Sequence, residues 1–552
     1  MFQLSEVQAN PPIPQSKTDL ILAQGASKHN PAAMPPARPV FSPIQRAPGR
    51  LINLETANQL LEGELSLRVG FQQTPPADRP AAGTGDQVYY GEVQWGLNNR
   101  LQLGLSTQTF EDPVNRPING TLPRYTVISL APSFKYQLRQ DELYSIAVHG
   151  SVEWLWLSTS PGLFNSTTRD QTDSLVVGTL QAPFSYNLSP EAQWHITPGI
   201  AIFPESVNGA DFYGTFFNLG TGFSWQLGSR LNLQVDLNFP LGPGGNTLDS
   251  SDGHISRQLL WAVGASYAVS PRVQVELYGT NGYGATPATR LLGFIPDSEQ
   301  ALIGANLTYT PNVGQGYGTS FRKGEPIPLS ERDWQLVQDG ITLNSANTLP
   351  PGAIEISGGA TVGGEFHGSI AYSPDQDFQA ELLFDKFEGE DNLSSADSAG
   401  RDLKVEIGAK LRFLDQQQGD PFSLSARLSG GYNLEESQQI GFLLPELPIT
   451  YSPNPDLAIF VNPKAAFYSD ESLIGVGLGV NYALLGAQLI GEVTPIASET
   501  TVWSLGTRFS IPKTNVGLDL YATNGIGRHG LGTMVAESGV NVGFNVNVIL
   551  GK

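Results

Sequence analysis

Hydrophobic and polar positions alternate with a period of two along most of the chain. In the segment 230–239, five apolar residues occupy one parity and five polar residues occupy the other. Because successive side chains of a strand point to opposite sides, this pattern predicts strands with one apolar and one polar face. The segments 403–413 and 540–550 repeat it, and no helical periodicity follows residue 60. Similar strands are predicted at 62–71, 87–97, 100–109, 272–280, 378–387 and 516–523.

The chain contains an internal repeat. The segment 52–63 matches 341–352, a shift of 289 positions (341 minus 52), and 277–284 matches 520–527, a shift of 243 (520 minus 277). Self-similarity of this kind indicates duplicated structural units. We therefore predict four regions: a Pro- and Ala-rich disordered segment at 1–50, a first β-barrel repeat at 51–308, a linker at 309–339 and a second repeat at 340–552.

The connections between predicted strands alternate between short and long. In the first repeat, twelve strands are expected, and the longer connections all fall on one end of the sheet. This alternation is typical of an up-and-down antiparallel meander. The second repeat is 46 residues shorter between the matched segments (289 minus 243), because its longer connections shrink.

An all-β, antiparallel up-and-down barrel follows from this arrangement, since closure removes unpaired strand edges. A soluble barrel would place the apolar faces inside, and a membrane barrel would place them outside, around a polar lumen. Strands of about ten residues are long enough to cross a bilayer when tilted. We predict two tandem transmembrane barrels of about twelve strands each, with one barrel of about twenty-four strands as the alternative.

Alternation also indicates which residues line the lumen and which face the membrane interfaces. Aromatic residues near strand ends are typical of the girdles at those interfaces. The predicted girdle comprises Tyr89, Trp95, Trp154, Trp156, Trp194, Trp225, Tyr278 and Tyr521. The predicted lumen-facing charges are Glu64, Arg68, Arg230, Asp236, Arg272, Glu276, Lys404, Glu406, Lys410 and Arg412.

Composition and charge exclude several classes of function. Charged residues make up only 15% of the chain, and 52 acidic against 31 basic residues give a net charge of −21. No dense basic run exists, so nucleic acid is not an expected partner. The chain has no cysteine, which excludes disulfides, thiolate metal sites and cysteine catalysis. Residues 1–20 show no export signal, and no apolar run is long enough for a transmembrane helix.

Short motifs resemble those of a known class of protein. The segment Thr56-Ala-Asn-Gln-Leu-Leu-Glu-Gly63 leads into the first strand, and Ser345–Gly352 repeats it less closely. With the stretch Gly279–Arg290, these segments resemble Gram-negative outer-membrane β-barrel proteins of the cyanobacterial type, here with a duplicated barrel. The resemblance implies location in the cell outer membrane. It also implies outer-membrane lipid, lipopolysaccharide and the barrel-assembly machinery as partners.

The remaining residues indicate little chemistry. Of the six histidines, none has a second histidine or a carboxylate at metal-ligand spacing. We therefore expect no metal, no cofactor and no enzyme activity, although a Ser-His pair formed between neighbouring strands stays open as an alternative. The predicted function is a pore for small polar solutes or ions, with a local anion preference at the basic face of 403–413. The alternative is a structural or adhesive envelope protein whose long loops contact partners.

Overall fold

The computed structural model describes residues 48–74, 87–114, 116–311, 321, 338–386, 403–433, 441–468, 471–497, 499–511 and 514–551. Most of the segment predicted to be disordered (1–50) and most of the predicted linker (309–339) lie outside these ranges. No helix within them is long and apolar enough to span a membrane.

The first repeat forms a closed barrel of twelve antiparallel strands. Its first and last strands pair with each other, from Leu67 opposite Tyr309 to Gln73 opposite Ile303. The strands are β1 (Leu65–Gln73), β2 (Gln87–Gly96), β3 (Leu101–Pro113), β4 (Arg124–Gln140), β5 (Tyr144–Thr159), β6 (Gln171–Gln181 and Phe184–Ser189), β7 (Ala192–Ile202), β8 (Phe216–Leu227), β9 (Leu231–Leu241), β10 (Leu260–Ala268), β11 (Val273–Thr280) and β12 (Leu302–Tyr309).

The second repeat closes in the same way. Its first strand pairs with its last, beginning with Ile354 opposite Leu550. The strands are β13 (Ile354–Thr361), β14 (Phe366–Asp375), β15 (Phe378–Lys386), β16 (Leu403–Leu414), β17 (Ser423–Asn433), β18 (Gly441–Glu446 and Ile449–Asn454), β19 (Leu457–Tyr468), β20 (Glu471–Leu484), β21 (Ala487–Thr494), β22 (Val502–Ser510), β23 (Val516–Gly525) and β24 (Ala536–Leu550). The prediction of two twelve-stranded barrels is confirmed.

Both barrels interrupt their sixth strand at a proline. β6 is broken at 182–183 and β18 at 447–448, with Pro183 and Pro448 at the breaks. In each case the two halves pair with the same neighbouring strands. Proline lacks the N–H that a ladder position requires, so a local break is expected there. The shared break shows that the duplication extends into the middle of each barrel.

The apolar side chains of both barrels face outward and the charged side chains face inward, the opposite of the arrangement in soluble proteins. On β16, Lys404 and Glu406 are each 1% exposed, whereas the adjacent Ile407 is 73% exposed. β11 shows the same contrast, with Leu277 61% exposed and Glu276 8% exposed. Large apolar side chains thus cover the outside, and charged side chains fill the inside. Of the two arrangements that alternation allowed, this is the one expected of a barrel surrounded by lipid.

The two barrels touch along an apolar seam on their outer surfaces. Val269 and Val273 of the first barrel pack with Phe378 of the second. Two aromatic pairs cross the seam, with ring centroids 6.0 Å apart for Tyr267 and Phe413 and 5.8 Å apart for Tyr309 and Phe378. Part of the apolar face of β16 therefore meets the other barrel.

Candidate functional site: two filled barrel lumens

The segment that precedes β1 lies inside the first barrel. Residues 50–57 are buried throughout. At their centre, the Glu55 carboxylate contacts Lys135 Nζ of β4 at 3.0 Å and Arg290 Nη1 at 2.5 Å, with His149 Nε2 at 3.9 Å. We call residues 48–63 the first lead-in segment. Its one central carboxylate is surrounded by three basic side chains that come from other parts of the barrel.

Polar contacts fasten the first lead-in segment around the barrel wall. The Asn53 backbone N–H donates to Asp236 of β9 at 3.1 Å, and the Ala57 backbone N–H donates to Ser185 Oγ of β6 at 3.0 Å. The Thr197 hydroxyl of β7 donates to the Glu55 carbonyl at 2.7 Å. Because these backbone groups would otherwise be buried without partners, the inward polar residues of the strands satisfy them.

A loop enters the same lumen from the opposite end. In the β11–β12 loop (281–301), Thr286 donates through its hydroxyl to Glu153 Oε2 of β5 at 2.7 Å. The Ala285 backbone N–H donates to Gln108 of β3 at 2.7 Å. Arg290, from this loop, reaches Glu55 of the lead-in segment. The two inserted segments therefore meet inside the barrel and are joined by a buried ion pair.

The second barrel repeats this construction with different side chains. Its lead-in segment (338–352) places the backbone N–H groups of Ile341 and Thr342 at 2.8 and 2.6 Å from the Glu492 carboxylate of β21. Lys464 Nζ of β19 donates to the Thr342 carbonyl at 3.2 Å. Asn344 donates to Glu446 of β18 at 2.8 Å. We call 338–352 the second lead-in segment.

The β23–β24 loop (526–535) folds into the second barrel. Arg528 Nη2 contacts Asp519 Oδ2 of β23 at 2.5 Å and donates to the Gly340 carbonyl at 3.3 Å. Arg508 of β22 binds the same carboxylate through two parallel hydrogen bonds of 2.7 and 3.0 Å. The loop and the wall therefore meet at Asp519, and Arg528 links both to the lead-in segment.

Eight of the ten predicted lumen charges lie on the interior side. Glu64 is buried beside the lead-in segment, where it accepts from the Leu61 N–H at 2.8 Å. Lys410 Nζ contacts Asp339 at 3.0 Å, and Arg412 contacts Asp377 at 3.2 Å. The others on the interior side are Arg68, Asp236, Glu276, Lys404 and Glu406.

The remaining two predicted lumen charges, Arg230 and Arg272, lie in short turns near the seam. The Arg230 guanidinium donates to the Tyr267 hydroxyl at 3.4 Å and lies over the Phe321 ring, 4.7 Å from its centroid. Arg272 has Asp375 of the second barrel as an electrostatic neighbour. Alternation placed both in the lumen, but it applies only within a strand, and each residue stands just before one begins.

The eight residues predicted to form the aromatic girdle do not all lie on the outer surface. Tyr89 and all five predicted tryptophans are at least 40% exposed, on the outer surface. Tyr278 and Tyr521 are each 5% exposed and point inward instead. Tyr278 faces Gly264 and Gly304 on the flanking strands, and a Cβ on Gly304 would lie 2.1 Å from the tyrosine ring. The ring therefore occupies space that only glycine leaves open.

One histidine does meet serine hydroxyls. His195 Nδ1 lies 2.8 Å from Ser185 Oγ, and its Nε2 lies 3.1 Å from Ser224 Oγ. His195 is fully buried, and Ser185 also accepts the Ala57 N–H of the lead-in segment. This geometry links the lead-in segment to the barrel wall. Among the described residues, no group of three or more histidine or acidic residues could hold a metal ion.

The buried ionisable side chains of the two barrels are predominantly acidic. Among the described residues of the first repeat and its lead-in segment, six carboxylates and three Lys or Arg residues are buried, and in the second the numbers are ten and seven. On β16, Lys410 also lies 4.0 Å from Glu381, and Lys404 stands opposite Asp385 in the strand pairing. The basic face of 403–413 is therefore matched by acids on neighbouring elements.

Sequence reasoning missed the lead-in segments as lumen contents. The available signal was the repeat itself, because its matched residues 52–63 and 341–352 stand outside any strand. A segment that is duplicated with the barrel but is not a strand needs a partner in each copy. The barrel interior supplies that partner.

No protein-family model matches the chain, and no curated protein matches it. Solved outer-membrane barrels are similar to parts of it. A KdgM porin is 9% identical, with a TM-score of 0.26, over 44% of this chain and 98% of its own. An outer-membrane channel from Pseudomonas putida F1 is 12% identical, with a TM-score of 0.32, over 48% of this chain and 100% of its own. Outer membrane phospholipase A from Escherichia coli is 12% identical, with a TM-score of 0.28, over 46% of this chain and 98% of its own.

Proposed function

We propose that the protein is an outer-membrane double barrel that passes small polar solutes or ions through narrow, charge-lined lumens. The observation that carries this proposal is the inversion of the barrel surfaces. Apolar side chains such as Ile303, 65% exposed, cover the outside, and ion pairs such as Glu55 with Lys135 fill the inside. An apolar exterior needs lipid, and a charged interior needs water or counter-charges.

The proposed partners follow from the same surfaces. Outer-membrane lipid would cover the apolar exterior, with lipopolysaccharide beside the long loops, and the barrel-assembly machinery would insert the chain. The relation to cyanobacterial-type proteins stays a prediction from the motifs.

The ionisable side chains inside the two lumens also support the conduction of cations in preference to anions. Buried carboxylates outnumber buried basic side chains in both barrels, and charges that line a narrow path act on ions at close range. This replaces the local anion preference that the residues 403–413 suggested, since Lys410 and Arg412 already have carboxylate partners. Inserted segments in both lumens predict a small conductance.

Planar-bilayer recording of the full-length protein tests the proposal. We expect small unitary currents and a reversal potential shifted toward cations in a salt gradient. The recording should use ~0.1 M salt, where the Debye length is about 10 Å. Asp339→Asn removes the partner of Lys410 from a lead-in segment and should shift the reversal potential toward anions. Asp141→Asn, in an exposed pair with Arg139, is the matched control and should change nothing.

The structural alternative gives a different result. The loops of the first barrel bury a cluster of aromatic side chains, including Phe164, Phe203 and Phe212, which pack against one another. If wild-type protein inserts but carries no current at any voltage, the structural function replaces the pore. If Asp339→Asn conducts with unchanged selectivity, ions do not cross the second barrel.

A further inference from the structure

The second barrel contains a polar cavity at the point where its inserted segments meet. The empty space there is about 670 Å³, which includes space open to solvent. It lies between the start of the second lead-in segment (338–344), the inner faces of β13 and β14, and Arg528, His529 and Gly530 of the β23–β24 loop. Polar groups of the lead-in segment, the barrel wall and the inserted loop therefore face one common space.

One side of the cavity carries two guanidinium groups that share one carboxylate. Both Nη2 atoms, of Arg508 and Arg528, contact the same oxygen of Asp519, at 3.0 and 2.5 Å. The side chains of these arginines are only 2% and 7% exposed. Their Nη1 atoms are buried and have no hydrogen-bond partner within the described part of the chain. Because a buried unpaired donor is costly, these groups indicate a missing acceptor.

Glu355 supplies the opposite charge on the cavity wall. Two other acids of the lining have basic partners, since Asp339 contacts Lys410 at 3.0 Å and Glu381 contacts Arg427 at 2.8 Å. Glu355 makes no hydrogen bond or ion pair of that kind with any described residue, although Arg508 and Asp339 are its electrostatic neighbours. Glu355 is therefore the carboxyl group of the described lining that has no basic side chain within ion-pair distance, and it faces the same space as the two arginines.

We propose that this cavity binds a small zwitterion of the amino-acid class. Its carboxylate accepts from Arg508 Nη1 and Arg528 Nη1, and its ammonium group is held by Glu355. Arginine donors suit a carboxylate because two N–H groups can face its two oxygens. A zwitterion adds no net charge to a buried site, whereas a simple anion or cation does. The inference deepens the proposed channel function, because it names the class of solute that the second lumen holds.

Equilibrium binding to full-length protein in detergent tests this inference without any current being measured. The probes are L-alanine, which carries both charges, propionate, which lacks the ammonium group, and ethylammonium, which lacks the carboxylate. Titration calorimetry should show L-alanine binding at least ~10-fold more tightly than either fragment. A silent bilayer with intact L-alanine binding would overturn the channel and keep the site.

Two variants assign the roles of the two charges. Arg528→Gln, in the inserted loop, should weaken L-alanine binding at least ~10-fold. Glu355→Gln should weaken L-alanine binding by a similar factor and leave the affinity for propionate unchanged or higher. Asp141→Asn is the control, and unaltered mobility of unheated protein in a denaturing gel establishes folding of each variant.

Three results would overturn the inference. These are propionate binding as tightly as L-alanine, no binding of L-alanine by folded wild-type protein, and unchanged affinity in a folded Arg528→Gln variant. If Arg528→Gln does not fold, Arg528→Lys takes its place. Lysine retains the charge and loses the paired donors, so L-alanine binding should still weaken.

Discussion

Glu55 joins the two inserted segments of the first barrel. Its carboxylate is 3% exposed and lies between Lys135 of the wall and Arg290 of the β11–β12 loop. Removing one partner from a buried ion pair leaves the other charge uncompensated, which typically costs about 3–5 kcal/mol. An exposed pair is worth only about 0–1 kcal/mol. Because its ion pairs are buried, Glu55 should contribute more to stability than an exposed carboxylate would.

Glu55→Gln should therefore destabilise the first barrel by about 3–5 kcal/mol. The matched control is Asp141→Asn, whose partner Arg139 has a side chain 61% exposed and which should cost at most about 1 kcal/mol. Urea unfolding in lipid vesicles, followed by tryptophan fluorescence, measures both. Equal midpoints for the two variants would show that Glu55 does not hold the inserted segments in place.

The inward position of Tyr278 could have been predicted from the sequence. Glu276 was assigned to the lumen and Tyr278 to the outer girdle, yet the two stand two positions apart on one strand and must share a face. The structure places both inside. The same parity joins Asp519 and Tyr521 in the second barrel. Consistent use of alternation would have placed both tyrosines correctly.

The lead-in segments are the elements that decide whether a lumen is open. Each is held by polar contacts with the barrel wall and has no hydrogen-bond ladder of a strand, apart from an isolated bridge between Arg50 and Glu55. Contacts of this kind can break one at a time. We expect conduction to require displacement of a lead-in segment, and the chain allows a clean test because it has no native cysteine.

The double variant Ala57→Cys/Ser185→Cys should lock the first lead-in segment to β6. The Ala57 nitrogen lies 3.0 Å from Ser185 Oγ, so the two introduced thiols are placed close together. Oxidation should lower the mean current, and a reductant should restore it. The single variant Ala57→Cys is the control. Equal currents in the oxidised and reduced double variant would mean that this segment does not move during conduction.

At the scale of the whole molecule, each barrel closes on its own. β1 pairs with β12 and β13 pairs with β24, so no strand pairing joins the two barrels among the described residues. Much of the seam between them is apolar and could be covered by lipid, although Arg272 lies near Asp375 across it. Each barrel also carries its own lead-in segment. The duplication thus produced two complete units in one chain.

Residues 338–552 should therefore fold without the first barrel. We expect a heat-modifiable, protease-resistant product after refolding in detergent, because every ladder of the second barrel lies within this range. A shorter fragment, 354–552, lacks the lead-in segment and should be less stable to urea, since Glu492 and Lys464 lose buried partners. Aggregation of 338–552 under every refolding condition would show that the first barrel is needed for closure.

The sequence by itself determined the strand character, the duplication, the up-and-down order and the face of most strand residues. These are local properties, set by a side-chain period of two and by turn lengths. Tertiary structure alone decided that each repeat closes separately, that segments outside the strands fill both lumens, and that β10–β12 and β15–β16 meet in a seam. Glu55 and Arg290, for example, are 235 positions apart in the chain and meet only because the lead-in segment and the β11–β12 loop enter the same lumen. Contacts across a barrel join residues far apart in the chain, and no local period records them.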